Sequence, residues 1–171
     1  MKSKSQLNNL NFRDAFKRTD FQGKTALVLS TWFGTGLAPR IPGTVGSLAA
    51  VPLAAVLTHL GAVWVGIALI VLIPLSIWSS DRSRVLLNKR DPSEVVIDEV
   101  AGLLLTLFLL PLSWVTILSG FMFFRFFDIL KPFPIGWADK RVSGGIGIVL
   151  DDLLAGVYGN ICTRIFLLLL Y

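Results

Sequence analysis

The chain has 171 residues, 54% of them hydrophobic and only 16% charged, with a mean hydropathy of +0.71. Soluble domains carry about 25% charged residues, so this composition argues against a water-soluble globule and for a polytopic membrane protein. The net charge of +5 suits an anionic membrane surface or a phosphorylated substrate, whereas Lys and Arg are not set in a stripe with interleaved aromatics, which excludes nucleic acid, and the lone Cys162 excludes a disulfide framework or thiolate metal site.

Residues 1 to 24 read as a basic cytoplasmic arm carrying Lys2, Lys4, Arg13, Lys17 and Arg18. The arm has no apolar core followed by small residues, so it is not a signal peptide, and a short helix is expected near Phe12 to Phe16, resting on lipid headgroups or frayed. Residues 25 to 171 read as a single helical membrane-embedded unit. Within it, Thr25 to Phe33 is apolar but too brief to span, and it leads into a loop rich in Gly and Pro.

Five apolar segments follow: Val45–Leu60, Gly61–Ser79, Val95–Leu110, Leu112–Phe127 and Leu153–Tyr171. The fold class is therefore all-α, with about five apolar helices and re-entrant Gly/Pro loops. Several segments are marginal against the ~20 residues that a spanning helix needs. The first two form a hairpin turning near Thr58 to Gly61, the next two a hairpin turning at Pro111 to Ser113. Two hairpins return the chain to its starting side, which puts residues 1 to 44, 80 to 94 and 128 to 150 on one face. All 16 Lys and Arg except Arg164, and all 11 Asp and Glu, then lie on that face or at its membrane boundary, as expected of a cytoplasmic side.

Three stretches on that face carry chemistry. Gly34 to Ser47 (GTGLAPRIPGTVGS) opens onto a helix, where glycines admit an anion close to the backbone and free N–H groups favour phosphate. Arg40, Thr44 and Ser47 add a fixed cation and two hydroxyls, although the pattern is no P-loop and also reads as a tight turn. In Asp91 to Gly102 (DPSEVVIDEVAG), Asp91, Pro92 and Glu94 read as a capping box, which leaves Asp98 and Glu99 one turn inside the helix, beyond the reach of a dipole explanation. Asp98, Gly102 and Thr106 share one small, polar face suited to helix packing.

The third stretch is Phe124 to Asp152. Arg125, Asp128 and Lys131 end a helix, with Arg125 and Asp128 close enough to pair. Pro132 and Pro134 stop that helix, and Gly136, Gly144, Gly145 and Gly147 predict a tightly turned or mobile loop. Asp151 and Asp152 open the last helix, where acids also complement the dipole. Asp152, Gly156, Gly159, Asn160 and Thr163 extend a small face suited to packing on the Asp98 helix. Carboxylates crowded from three helix ends call for a cation, and oxygen-only ligands suit Mg²⁺. His59 lies in the opposite hairpin, so histidine-dependent phosphatase chemistry is disfavoured.

The motifs GTGLAPRIPGTVGS, VIDEVAG, FRFFDILKPFPI and GGIGIVLDDLLAG, in this order and spacing, resemble the phosphatidylglycerophosphatase A family over most of residues 32 to 156. The resemblance implies a Mg²⁺-dependent phosphatase of the bacterial inner membrane, with its site on the cytoplasmic face. Its substrate would be the phospholipid phosphatidylglycerophosphate, converted to phosphatidylglycerol and inorganic phosphate. On that reading Asp98, Glu99, Asp128, Asp151 and Asp152 supply metal ligands or a base, and Arg40, Thr44, Ser47, Arg125 and Lys131 hold phosphate. Asp98, Glu99, Asp128, Arg125 and Lys131 form the expected catalytic set, with Asp128 the candidate nucleophile if an aspartyl phosphate forms. The oligomeric state is left open. The rivals are a CDP-alcohol phosphotransferase, whose D-x-x-D-G-x-x-A-R pattern is missing, and a transporter or binding protein using the acids as a cation site, whose internal repeats are absent.

Overall fold

A computed structural model describes residues 11 to 171; Lys2 and Lys4 of the basic arm lie outside the described residues. Among the described residues there are eight helices and no strand. They are α1 (Phe12–Arg18), α2 (Phe21–Ser30), α3 (Pro42–Leu60), α4 (Ala62–Leu87), α5 (Ile97–Leu107), α6 (Trp114–Leu130), α7 (Ile135–Arg141) and α8 (Gly144–Leu170), with a 3₁₀ turn at Thr35–Leu37.

The bundle is built around α5. Ile97, Val100, Ala101, Gly102, Leu103, Leu104, Thr106 and Leu107 are all buried, so this helix is apolar because protein surrounds it on every side. Helices α3, α4, α6 and α8 pack against it. Its closest neighbour is α8, and the seam between them depends on missing side chains. A Cβ on Gly102 would lie 2.6 Å from the Phe124 ring and 2.8 Å from the Asp152 carbonyl, and one on Gly156 would lie 2.6 Å from the Gly102 carbonyl. Thr106 Oγ1 donates to the Gly156 carbonyl across this seam at 3.3 Å. The two small faces expected from the sequence therefore do meet.

Each predicted hairpin turn is present. Gly61, at φ 110°, separates α3 from α4, a conformation that favours glycine. Residues 108 to 113 separate α5 from α6, and the Ser113 hydroxyl caps α6 by accepting from the Thr116 amide at 3.0 Å. The end of α5 is closed from α8: Asn160 Nδ2 donates to the carbonyls of Thr106 (2.7 Å) and Phe108 (2.8 Å), and Arg164 donates to those of Phe108 and Leu109. These are carbonyls that a helix C-terminus leaves without intrahelical partners. Arg164 thus has a structural role in the final apolar run. At the other end, α1 and α2 pack on α4 through Ala15, Leu27 and Leu87, and Ser30 hydrogen-bonds Ser83 at 2.8 Å.

All five apolar segments are helices, and among the described residues three helices, α3, α4 and α8, are long and apolar enough to cross a membrane. Four other expectations need correction. The 11 residues of α5 reach only about 16 Å. That helix does not start at Asp91: the Val96 amide donates to the Ser30 carbonyl at 2.8 Å and Glu94 pairs with Lys89 at 2.6 Å, so residues 91 to 95 are tied to neighbours instead of forming a capping box. Asp98 and Glu99 consequently stand in the first helical turn. The glycine-rich stretch after Pro134 is not a loop but α7 and the start of α8, because Gly145 lets α8 approach the Ile77 carbonyl of α4 too closely for any side chain. Helix α8 therefore begins two turns before Asp151, and its dipole does not account for Asp151 and Asp152.

The outer surface is extensively apolar. On α4, Val63, Trp64, Ile67, Ile70 and Val71 are exposed, and on α8 Ile161, Ile165, Phe166, Leu168 and Leu169. A patch of this extent is incompatible with a free aqueous surface and matches a hydrocarbon environment.

Candidate active site

At one end of the bundle, the start of α3, the start of α5, the end of α6 and the third turn of α8 enclose a cavity of about 390 Å³. Its wall carries six carboxylates (Asp91, Asp98, Glu99, Asp128, Asp151 and Asp152) and two cations (Arg125 and Lys131).

Both cations are already engaged. Arg125 Nη1 donates to Glu99 Oε2 at 2.9 Å and to Asp128 Oδ2 at 2.7 Å, with Ser47 Oγ at 3.4 Å. Ser47 donates to the same Glu99 oxygen at 2.5 Å. Arg125 therefore sets the relative positions of two carboxylates from different helices, and the expected i,i+3 pair with Asp128 is half of that arrangement. Lys131 Nζ donates to Asp139 Oδ1 at 2.9 Å and to Asp151 Oδ2 at 2.6 Å. Burial works against its charge, but these two carboxylates outweigh burial and hold the ammonium above its ordinary pKa. An ammonium has three N–H groups, so one remains for a ligand. Lys131 itself caps α6 at φ 46°, a left-handed conformation costly for a side chain of this kind.

Other carboxylate oxygens on the wall lack such compensation. Asp152 is 4% exposed, and no hydrogen bond or ion pair from the described residues reaches its carboxylate. Among the described residues, Asp151 Oδ1 is buried without a hydrogen-bond partner and Asp98 accepts only the Glu99 amide, at 3.0 Å. Asp128 Oδ1 has no partner among the described residues. Asp91 lies at the rim, where partial burial pushes its carboxyl above the usual carboxylate range, offset in part by Lys131. Gly43 and Thr44, at the start of α3, also line the cavity, and no side chain caps that helix. Gly43 belongs there because a Cβ would collide with the Glu99 carboxylate.

A family model for phosphatidylglycerophosphatase A matches residues 28 to 167. The chain belongs to the phosphatidylglycerophosphatase A family. It is 39% identical over 133 residues to the phosphatidylglycerophosphatase A of Escherichia coli, covering 76% of each chain. It is likewise 39% identical over 136 residues to that of Haemophilus influenzae, covering 78% of this chain and 83% of the relative. A Bacteroides thetaiotaomicron relative, 35% identical over 79% of this chain and 89% of its own length, is named as a proposed phosphatidylinositol-3-phosphatase. No solved structure gives a significant match.

Family membership makes the protein a phosphatase of lipid metabolism, and the cavity gathers most of the residues expected to serve one. Asp98, Glu99, Asp128, Asp151, Asp152, Arg125, Lys131 and Thr44 all line it. Ser47 stands behind it, its hydroxyl committed to Glu99. Arg40 is exposed on the preceding loop and does not line the wall. Two acids given no individual role from the sequence belong here as well. Asp91 was masked by its resemblance to an N-cap, although Asp-Pro also reads as a turn signal. Asp139, on α7, reaches Lys131 across the turn that follows α6 while α7 packs on α8, which no local pattern announces.

Proposed function

We propose that this protein is a Mg²⁺-dependent lipid phosphatase that hydrolyses the terminal phosphomonoester of phosphatidylglycerophosphate, releasing phosphatidylglycerol and inorganic phosphate. The observation that carries the reading is the imbalance in the cavity: six carboxylates face two cations that are each already paired. Such a wall repels a phosphate dianion unless a metal ion lies between them.

Among the described residues no three Asp, Glu, His or Cys side chains stand close enough to chelate an ion by themselves. That agrees with Mg²⁺, which keeps several waters and is commonly held by one or two carboxylates together with substrate phosphate. The all-oxygen donor set and the unpartnered Asp151 Oδ1 fit the same ion. One or two of Asp98, Glu99, Asp151 and Asp152 would hold it, with water and substrate phosphate completing the set. When bound, it supplies charge neutralisation and polarisation of the phosphoryl oxygens.

The chain's own groups do the rest. The free amides at the start of α3, the Thr44 hydroxyl and the third N–H of Lys131 bind phosphoryl oxygens. Arg125 holds Asp128 by Oδ2 and leaves Oδ1 free to serve the attack. Either Oδ1 takes the proton of an attacking water, or it bonds to phosphorus and water later hydrolyses the acyl phosphate. In both routes the phosphorus–oxygen bond to glycerol breaks; the leaving glycerol oxygen takes the attacking water's proton from Asp128 in the first, and a solvent proton in the second, which the water that later hydrolyses the acyl phosphate returns. A transporter is less consistent with this geometry, since the acids lie at one end of the bundle instead of lining a path through it.

The deciding experiment is phosphate release from phosphatidylglycerophosphate by the purified full chain in detergent, with Mg²⁺ and with EDTA, beside Asp128→Asn. Asn keeps the shape and an acceptor for Arg125, so the variant should fold. Expected are Mg²⁺-dependent release and a loss of at least about 10³-fold in the variant, as for removal of a group acting in the chemical step. Release unaffected by EDTA would refute the metal assignment, and retained turnover in the variant would remove Asp128 from the chemistry. Phosphatidylinositol 3-phosphate offered in parallel decides the head group: preferential release from it would reassign the substrate.

A further inference from the structure

The exposed residues of the cavity lining are of two unlike kinds. Asp91 and Ser93 are polar. Ile41, just before α3, and Ile129, in the last turn of α6, are apolar and are 67% and 68% exposed. These two are large apolar side chains set into a wall otherwise dominated by charge. Ile41 sits at φ 46°, unusual for a β-branched residue, in the turn that leads directly into the phosphate-facing end of α3.

Ile129 continues into an exposed apolar row along its own helix: the positions three and seven residues earlier are Phe126 and Met122, both exposed, and these spacings keep the side chains on one helix face. Ile41 precedes the first turn of α3, and on that helix Leu48 is exposed as well. The α6 row extends about 10 Å away from the cavity at 1.5 Å per residue. The site thus opens onto apolar surface at Ile41 and Ile129.

Resting on the lipid-phosphatase reading, we propose that the substrate lies across this opening, its phosphomonoester in the charged cavity and its diacylglycerol end passing between Ile41 and Ile129 onto the apolar surface of α3 and α6. The two isoleucines are then specificity determinants that favour a membrane lipid over its water-soluble head group.

The test uses the purified full chain in lipid nanodiscs, with phosphatidylglycerophosphate as substrate and its deacylated head group as a competitive inhibitor. The variants are Ile41→Ser and Ile129→Ser, at surface positions whose side chains support no core packing. Each buried carbon contributes a factor of about four in affinity, so losing three that are incompletely covered should raise KM for the lipid about tenfold per variant. The inhibition constant of the head group and kcat for the lipid should stay within about twofold. A KM that does not move, or one that rises together with the head-group inhibition constant, would overturn the acyl path while leaving the phosphatase assignment standing. A wild-type protein that releases no phosphate from any lipid phosphate would overturn both.

Discussion

The seam between α5 and α8 fixes the distance between the acids they carry, and Gly156→Ala tests this directly. The added Cβ would lie 2.6 Å from the Gly102 carbonyl, against an ordinary contact of 3.4 Å, so the helices must part by about 0.8 Å. The obstructing atom is backbone, which cannot rotate aside as a side chain would. Overpacking of this kind costs about 1–3 kcal/mol, while replacing a mid-helix glycine with alanine returns roughly 0.5–1 kcal/mol. The expected net loss is about 1–2 kcal/mol, or a fall in Tm of roughly 2–8 °C for a chain of this size. Activity should suffer more than stability. Asp152 and Asp98 lie one turn before Gly156 and Gly102 on the same faces, and a displacement approaching 1 Å in a catalytic constellation costs on the order of 10²-fold. The assay is kcat for phosphate release alongside thermal unfolding in the same detergent. Gly66→Ala is the control, since its nearest neighbour would be the Phe108 ring at 3.8 Å and it should be neutral or slightly stabilising. Wild-type Tm and kcat in Gly156→Ala would refute the claim that this seam sets the site.

Two further outcomes are expected. Asn160→Ala should lower stability by about 1–3 kcal/mol, because the Thr106 carbonyl loses its donor from α8 and the Phe108 carbonyl keeps only Arg164; kcat per folded molecule should hold, and a Tm within 1–2 °C of wild type would contradict this capping role. Asp91→Asn should change how stability depends on pH. The folded state raises the Asp91 pKa, so its contribution is fully present below the ordinary value of 3.8 and is lost as pH rises through the raised one. Wild type and variant should therefore match best in acid, with the variant gaining relative Tm as pH increases. Lys131 adds no such dependence between pH 5 and 9, because its raised pKa keeps it charged throughout, and a parallel pH–Tm profile for the two proteins would contradict the assignment for Asp91.

Much of this protein was legible before any fold was known. Hydropathy located five helices, glycine and proline placed the turns between them, and charge placement put the acids on one face, because each of these signals acts over a few residues or over a whole segment. The Asp98–Gly102–Thr106 and Asp152–Gly156–Gly159 faces were readable for the same reason: helical periodicity is local, and small residues at one spacing announce close approach. The motifs were specific enough to identify the family from the chain itself.

Tertiary structure decided what periodicity has no means to encode. A long apolar run reads alike whether lipid or protein surrounds it, so only packing showed that α5 is a buried central helix too short to span. The first turn of α5 depends on the Ser30 carbonyl, more than sixty residues earlier, and the approach of α8 to the Ile77 carbonyl turned an expected glycine loop into helix. The same holds for the charges. Sequence spacing offered Arg125 one partner, Asp128, and Lys131 none, whereas the fold brings Glu99, Asp139 and Asp151 from other elements to them, at distances of 2.6 to 2.9 Å. Local spacing fixes which side chains share a helix face; which of them meet across the cavity depends on contacts distant in the chain, and those exist only once the helices have packed.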